Sequence, residues 1–405
     1  SHYKAQSALR NNDIEKAKTI YETGFEIGKS NLKNIIDNSS NYSLYEVMVV
    51  LKYVPELYEI YFNEKNYKKL NEINRVYINN DISNLSKRDL KYINLLDVNS
   101  YKILKIYLKY FEEKNNKKKF NMVKSHIIKK LDKTIKKLKK NDTREFIHYA
   151  TNRHIVLREI AEIAQILIKN SHKAEGTEIL NKIHPIIIDY FKEKSSAAVW
   201  KPNIEDNVFG LIYLDIAENY LKSDKSFIKK AYKVAQVGKN IFTSRDLNKA
   251  ISKKKFKDPD GLIDKYEKIQ RELTVNLRSA QFAPKEVADN TKISEELNNK
   301  NRKLQSKMEK LEKDIKNKTP SYFKLTKIQT AKISELQKLL KKDEVLLDYY
   351  FYEKELKVVS ISKDKVEILS KKSDFKNLRK LNNEVRNTLI PFDGTIKPYA
   401  VNKSF

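Results

Sequence analysis

The sequence predicts a mainly α-helical protein, in which an array of paired helices is followed by a long helix and by a small α/β portion. The 405 residues include only 7 Gly and 8 Pro, which is too few for the many turns of an all-β fold. Through residues 1–250, aromatic and small residues recur at helical spacing on both sides of short polar breaks. After Pro320 the apolar residues follow the period of β-strands.

The paired helices are clearest in residues 57–78. Tyr61, Lys65, Tyr67 and Leu70 follow the order aromatic, turn, aromatic, small that is typical of tetratricopeptide repeats, although Leu70 stands where that family usually has Ala. Small residues let two helices approach closely, so that each pair can bury one face against the next. Three further segments carry related positions: Ala17 and Tyr21; Ala161, Ala164 and Ala174; Ala217, Tyr220, Ala231 and Ala235. Residues 1–250 therefore resemble a TPR-like solenoid, and an irregular helical domain is the alternative.

Residues 114–140 form the most basic stretch of the chain, with twelve Lys and one acid, Asp132. Apolar residues recur there at spacings of three and four, which predicts one apolar stripe on a strongly basic helix: Phe120, Val123, Ile127, Leu131, Ile135 and Leu138. The basic face is either a solvated face of a repeat helix or a dock for a polyanion or an acidic partner. The candidate polyanion-binding residues are Lys117, Lys118, Lys119, Lys129, Lys130, Lys136, Lys137, Lys139 and Lys140.

The formal net charge of +29 leaves similar alternatives open for the chain as a whole. Such a field attracts nucleic acid, acidic lipid or an acidic protein. The excess is carried by Lys far more than by Arg, and Arg is the residue of bidentate phosphate and base recognition. A solvated lysine surface, a nucleic-acid partner and an acidic protein partner all remain open.

Residues 251–318 are predicted to be a linker followed by a long bridging helix. Asp258, Pro259, Asp260 and Gly261 supply turn chemistry. A heptad-like seam follows, which predicts a helix packed along a domain: Ile293, Leu297, Leu304, Met308, Leu311 and Ile315. A break is expected near Ala283-Pro284.

The last part of the chain, residues 319–405, predicts a β-meander between two helices. The strand-like runs are Val345–Tyr352, Glu355–Ile361 and Lys365–Leu369, separated by short polar turns. We expect the preceding helix to cover one face of the meander through Leu336, Leu339 and Leu340. A helix is predicted to follow from about Asp374 to Ile390.

The order of these residues resembles the N-terminal edge of the CHAT domain, a caspase-like peptidase domain found joined to tetratricopeptide repeats. The resemblance covers roughly residues 315–390 and rests on two runs that precede the meander: Pro320, Tyr322, Leu325, Ser334, Glu335, Leu336, Gln337 and Leu340; then Asp343, Glu344, Val345, Leu346, Leu347 and Tyr349. It implies an incomplete caspase-like sheet whose reacting His and Cys lie outside this chain. It also implies a C-terminal peptidase half, on the same or a separate chain, and a cysteine peptidase of bacterial defence or signalling.

Two functions follow as expectations. The first is the regulatory, partner-binding part of a CHAT-type cysteine peptidase, with a protein or ribonucleoprotein regulator held on the repeats. The second is a non-enzymatic TPR-like scaffold that binds nucleic acid or a ribonucleoprotein through its Lys-rich surface. The domains expected are residues 1–250, 251–318 and 319–405.

The sequence excludes several kinds of chemistry. With no Cys there is no thiolate nucleophile, disulfide framework or Cys-ligated zinc. The histidines do not have metal-ligand spacing, and we expect no metal, cofactor or catalytic residue: His2, His126, His148, His154, His172 and His184. No apolar run of about 18 residues exists. The start, SHYKAQSALRNND, has no apolar core of a signal peptide. We therefore expect a cytoplasmic protein with no membrane partner.

Overall fold

The fold is taken from a computed structural model, and it is mainly helical with one small three-stranded antiparallel sheet. The chain divides into two compact units, residues 1–183 and 184–405. The two domain boundaries expected near residues 250 and 318 adjoin stretches outside the described residues. The structure describes residues 4–5, 8–9, 13–37, 44–93, 100–139, 146–196, 208–239, 260–281, 291–318, 330–352, 355–372 and 380.

Over its described residues, the first unit consists of helices and a short 3₁₀ turn, Ile82–Asn84. Its second, fifth and seventh helices pack against one another in succession, and the second and fifth are each followed by a helix that folds back on it. The helix that follows the seventh approaches it closely at Gly176. The helices are α1 (Ile14–Asp37), α2 (Leu44–Asn63), α3 (Tyr67–Ile78), α4 (Lys87–Ile93), α5 (Ser100–Glu113), α6 (Lys117–Lys139), α7 (Phe146–Lys169) and α8 (Lys173–Ser196). The boundary between the units falls within α8.

Three helix pairs, α2/α3, α5/α6 and α7/α8, are joined by the same turn. In each pair, the second-to-last residue of the turn has a left-handed backbone conformation, with φ of 55° at Lys65, 51° at Asn115 and 67° at Ser171. The next residue then donates its backbone N–H to the carbonyl oxygen five residues earlier. These bonds are Asn66 to Tyr61 (2.8 Å), Asn116 to Phe111 (2.9 Å) and His172 to Leu167 (2.9 Å). The turn predicted at Lys65 is therefore one of three copies.

The turns are fixed locally by side-chain caps at two of these positions. Asn66 Oδ1 accepts the backbone N–H of Lys69 at 3.2 Å, and Asn116 Oδ1 accepts that of Lys119 at 3.1 Å. Each bond satisfies a backbone donor that the first turn of a helix leaves unpaired.

The prediction that Ala174 is the small residue at the contact between α7 and α8 is wrong. Ala174 is exposed, whereas Gly176 is buried at the position that corresponds to Leu70 and Phe120. A Cβ atom at Gly176 would lie 2.5 Å from Ile168 Cγ1 and 2.7 Å from the carbonyl oxygen of Ala164. Glycine is thus the residue that lets α7 and α8 approach, while most other predicted small and aromatic positions are buried: Ala17, Tyr21, Ala161, Ala164, Ala217, Ala231 and Ala235.

The second unit contains a further close helix pair. Helix α9 (Val208–Asn219) is followed by α10, residues 225–239. A Cβ atom at Gly210 would lie 2.7 Å from the Cα atom of Ala235, so a glycine and an alanine meet where the two helices cross. The predicted packing of Ala235 on a close neighbour is observed.

The predicted bridging helix is a pair of helices, α11 (Leu262–Gln281) and α12 (Thr291–Lys318). Gly261, with φ of 60°, precedes α11, and Lys318 Nζ lies 2.5 Å from Asp260 Oδ2. The seam residues Leu304 and Ile315 are buried. The cluster between the two helices consists of Leu262, Ile263, Tyr266, Met308, Leu311 and Ile315. The heptad-like seam, predicted to pack along a domain, therefore packs on the helix that precedes it.

The sheet is a meander of β1 (Val345–Tyr352), β2 (Glu355–Ser362) and β3 (Val366–Lys372), in the order β1-β2-β3. The three predicted strands are confirmed, although β3 ends three residues later than expected. The short helix α13 (Ile333–Leu339) precedes the sheet and contacts β2. The helix expected over residues 374–390 lies outside the described residues.

Candidate functional site

The basic helix α6 is where the sequence placed the candidate polyanion site. Its predicted apolar stripe is buried throughout, from Phe120 to Leu138. Of the nine candidate lysines, Lys117, Lys118, Lys129 and Lys136 are exposed. The side chains of Lys137 and Lys139, and the whole of Lys140, lie outside the described residues.

Two of the candidate lysines are engaged within the first unit. Lys119 donates to the carbonyl oxygen of Ser83, and burial lowers its pKa. Lys130 donates to Ser100 Oγ at 2.7 Å and lies 5.4 Å from the ring centroid of Tyr101. These two contacts hold α6 in place, so neither lysine is a free contact for a ligand. Lys133, which the sequence interpretation passed over, is exposed on the same helix.

A second cluster of charges, which the sequence interpretation missed, crosses the first helices of the three pairs. We call it the ionic network, and its members come from α2, α5 and α7: Glu56, Glu59, Lys102, Lys105, Arg158, Glu159 and Glu162. Lys105 is central, with its Nζ 2.6 Å from Glu159 Oε2 and 2.5 Å from Glu162 Oε2. The side chains of Lys105 and Glu159 are 2% and 0% exposed.

The carboxylates set the protonation of this network. Burial opposes the charge on Lys102 and Lys105, but the surrounding glutamates, led by Glu56 for Lys102 and Glu159 for Lys105, raise both pKa values above the ordinary lysine value. Burial also opposes the charge on Glu59, yet Lys102 and Lys105 hold its pKa well below the usual range. Glu159 behaves differently, because burial raises its pKa.

The ionic network is suited to fixing geometry and unsuited to nucleophilic chemistry. A lysine acts as a nucleophile when its pKa is depressed, and here the pKa of both lysines is raised. Buried ion pairs add little net stability, but removing one partner from such a pair leaves an uncompensated buried charge. The network therefore favours one relative placement of α2, α5 and α7. Charged pairs at spacing i, i+3 on three helices, Glu56 and Glu59, Lys102 and Lys105, and Glu159 and Glu162, were the signal available in the sequence.

A third cluster lies on the inner face of the sheet, within the second unit. The central lysine of β2, Lys357, has a side chain that is 0% exposed. Its Nζ lies 3.2 Å from Asp215 Oδ1 and 3.0 Å from Glu218 Oε2, both on α9, and it donates to Ser370 Oγ at 2.7 Å. Burial opposes its charge, but the bonds to Glu355 and Glu218 and the charge of Asp215 raise its pKa. Lys357 therefore anchors the sheet to α9.

Asp348 makes a second anchor on the same face, directed at α10. Its carboxylate accepts bonds from Lys239 Nζ at 2.6 Å, Tyr232 Oη at 3.2 Å and Tyr350 Oη at 2.6 Å. Burial and the neighbouring Asp348 raise the pKa of Tyr350, so its hydroxyl remains a donor. Together with the buried side chains of Val359 and Ile361, these bonds close the inner face.

The opposite, outer face of the sheet carries several exposed apolar side chains. Leu347 and Tyr349 are 49% and 50% exposed, and Val345 and Leu369 are similarly exposed on the same face. Of the three residues through which we expected α13 to cover one face, Leu339 is 80% exposed, whereas Leu336 and Leu340 are half-buried and α13 contacts β2. The inner face is covered by helices more than one hundred residues earlier in the chain.

The described histidines occupy packing positions. His172 stacks on Phe120 with ring centroids 5.7 Å apart, and Lys124 Nζ lies 3.1 Å from its Nδ1. His154 is buried, and His184 packs against Tyr213. Burial, with Lys233 and Lys230 nearby, lowers the pKa of His184 to about 4. Within the part of the chain that the structure describes, no group of three or more His, Asp or Glu could hold a metal ion.

Comparison with known proteins gives no relative: no family model, curated protein or solved structure matches this chain. None of the helices in the described ranges is long and apolar enough to cross a membrane.

Proposed function

We propose that this chain is the regulatory, partner-binding part of a CHAT-type cysteine peptidase, whose catalytic His and Cys belong to a peptidase half on the same or a separate chain. In this proposal, the helix pairs of the first unit act as a TPR-like array that holds a protein or ribonucleoprotein regulator. The sheet is the first portion of the caspase-like sheet.

The observation that supports this proposal best is the asymmetry of the sheet. One face is closed by α9 and α10, whereas the other presents Val345, Leu347, Tyr349 and Leu369 to solvent. A layered α/β domain buries apolar sheet faces against other elements. An apolar outer face on a three-stranded sheet is what a larger sheet would show before its covering layer and remaining strands are in place.

The edges of the sheet point to the same function. β1 is an edge strand of eight residues, and it carries neither Lys nor Pro. No backbone hydrogen bond joins its outward edge to another residue of the described ranges. Edge strands that remain free usually carry protective charges, as β3 does at Lys371 and Lys372. The edge of β1 is therefore the one suited to receive a further strand.

The anchors on the inner face give the helix pair α9/α10 a means of acting on the sheet. Lys357 and Asp348 bind the sheet to these helices through ionic bonds, so that a partner that shifts the pair also shifts the sheet. The chain itself supplies no thiolate, because it contains no Cys. We therefore expect no cysteine-peptidase activity from these 405 residues alone.

A photo-crosslinking experiment tests the proposal. A photoreactive phenylalanine analogue replaces Leu347 in the full-length protein, expressed in its own host. The matched control carries the analogue at Leu339, which is 80% exposed on α13. The proposal predicts a crosslink from position 347 to a segment that carries a His and a Cys at strand ends, in the same or another chain. Crosslinks only to segments without these residues, or equal products from both positions, would contradict it.

A further inference from the structure

Four of the exposed lysines of helix α6, Lys118, Lys129, Lys133 and Lys136, lie along one side of it, and we call them the lysine ridge. At 100° per residue they fall within an arc of about 60°, on the side of the helix opposite its buried stripe. They extend over about 27 Å of the helix axis, and the last three follow one another at rises of about 6 Å and about 4.5 Å. The ridge is thus a straight row of positive charges directed at solvent.

The carboxylates around the ridge are already paired with other lysines. Asp132, the one acid of α6, lies 2.9 Å from Lys182 Nζ. On the adjoining part of α8, Glu178 also pairs with Lys182 at 2.8 Å, and Glu175 pairs with Lys124 at 2.9 Å. No hydrogen bond or ion pair joins a ridge lysine to another residue in the ranges that the structure describes. Counted with the ridge, these residues are six lysines against three carboxylates, so the local net charge remains positive.

We propose that the lysine ridge binds the phosphodiester backbone of nucleic acid without reading its sequence. Lysine contributes a point charge that suits single phosphate oxygens, whereas base recognition relies on the bidentate fork of Arg, Asn or Gln. Four lysines in a row, with no Arg among them, match backbone contacts that position a protein and carry no sequence information. The net charge of +29 adds a long-range attraction for the same ligand.

An acidic protein surface fits the ridge less well. Stable protein interfaces are centred on buried aromatic, apolar or Arg anchors. The residues beside the ridge on the exposed face include Asn121 and Ser125, which are exposed and polar. This inference does not rest on the proposed peptidase function, since it concerns the first unit alone.

The test measures salt-dependent binding of fluorescein-labelled 20-nucleotide oligomers, single-stranded and duplex, by fluorescence anisotropy. The ridge variant combines K118Q, K129Q, K133Q and K136Q in the full chain. The matched control combines K303Q, K307Q, K310Q and K313Q on α12. It removes the same number of positive charges, four, at exposed positions of the second unit. Circular dichroism and thermal unfolding of both variants verify that they are folded.

The association constant K falls as salt rises, so a plot of log K against log salt has a negative slope. Removing one lysine that neutralises a phosphate should make this slope less steep by about 0.9 for duplex and about 0.7 for single strands. On whichever of single-stranded or duplex DNA binds more tightly, the slope of the ridge variant is therefore expected to be less steep by about 3 to 4. The slope of the control variant should change by less than about 1. A variant with Arg at the four ridge positions should keep the slope, and changing the base sequence should leave affinity within about twofold.

Three outcomes would overturn the proposal. One is an unchanged slope in the ridge variant. Another is an equal decrease in the ridge and control variants, which would assign binding to net charge alone. The third is competition by polyglutamate at the same charge concentration as efficiently as by the oligomers, which would show that the ridge binds an acidic polypeptide.

Discussion

Lys357 in β2 and Glu218 in α9 form an ion pair of 3.0 Å, although 139 residues separate them in the chain. The pair joins the central strand of the sheet to the first helix of a helix pair, and Asp215 and Ser370 complete its surroundings. Together with the anchor at Asp348, this pair fixes which face of β2 is buried. If β2 slipped by one residue in its pairing with the neighbouring strands, Lys357 would turn to the outer face.

Replacing Lys357 with Met should destabilise the sheet by about 2 kcal/mol, less than the full cost of a wholly buried pair because the exposed fractions of the partner carboxylates let them rehydrate. Hydrogen exchange of residues 355–372 measures the effect and should become faster. Lys365→Met, at an exposed site in the β2–β3 turn, is the control and should leave exchange unchanged. Equal exchange in wild type and the Lys357 variant would show that apolar packing alone holds the sheet.

The ionic network predicts strong coupling between Lys105 and Glu159. Lys105→Met alone should reduce the free energy of unfolding by about 3 kcal/mol, because it leaves buried Glu159 with one fewer cation. Adding Glu159→Leu should recover at least half of this stability, since the uncompensated carboxylate is then absent. A double-mutant cycle by urea denaturation gives the coupling energy. Additive effects of the two substitutions would contradict the role assigned to the pair.

Gly176 should resist substitution by alanine. The added methyl group would meet the carbonyl oxygen of Ala164 at 2.7 Å, so α7 and α8 must move apart. We expect a net destabilisation of about 1–2 kcal/mol, since overpacking outweighs the gain of about 1 kcal/mol in helix propensity. Thr177→Ala, at the next residue of the same helix, is the control for propensity. A more stable Gly176→Ala protein in thermal unfolding would show that the two helices do not approach as closely as described.

His184 should make the second unit sensitive to acid. Burial holds its pKa at about 4, compared with an ordinary value of 6.5. Between these values the unfolded chain binds a proton that the folded chain excludes, so stability falls as pH falls from 6.5 to about 4. The difference in melting temperature between wild type and His184→Gln should therefore change across this range and be constant above about pH 7. A difference that stays constant throughout the acid range would contradict the assignment.

The sequence was sufficient for features with a local physical cause. The meander follows from strand-like runs separated by two-residue turns, and the buried stripe of α6 follows from helical periodicity. The sequence could not assign partners that depend on tertiary contacts. Lys119 and Lys130 have the same local pattern as Lys118 and Lys129, yet contacts with Ser83 and Ser100 engage only the first two. Lys357 likewise appears as an ordinary strand lysine until α9 lies beneath it.

Hydrogen exchange along β1 tests most directly the central claim that the sheet is completed by further strands. In the 405-residue chain alone, we expect the amide groups of β1 that point away from β2 to exchange fast and those that bond to β2 to exchange slowly. Once the peptidase half is present, in the same chain or added separately, both sets should exchange slowly. Protection of both sets in the isolated monomer, or no change when the peptidase half is added, would contradict the account.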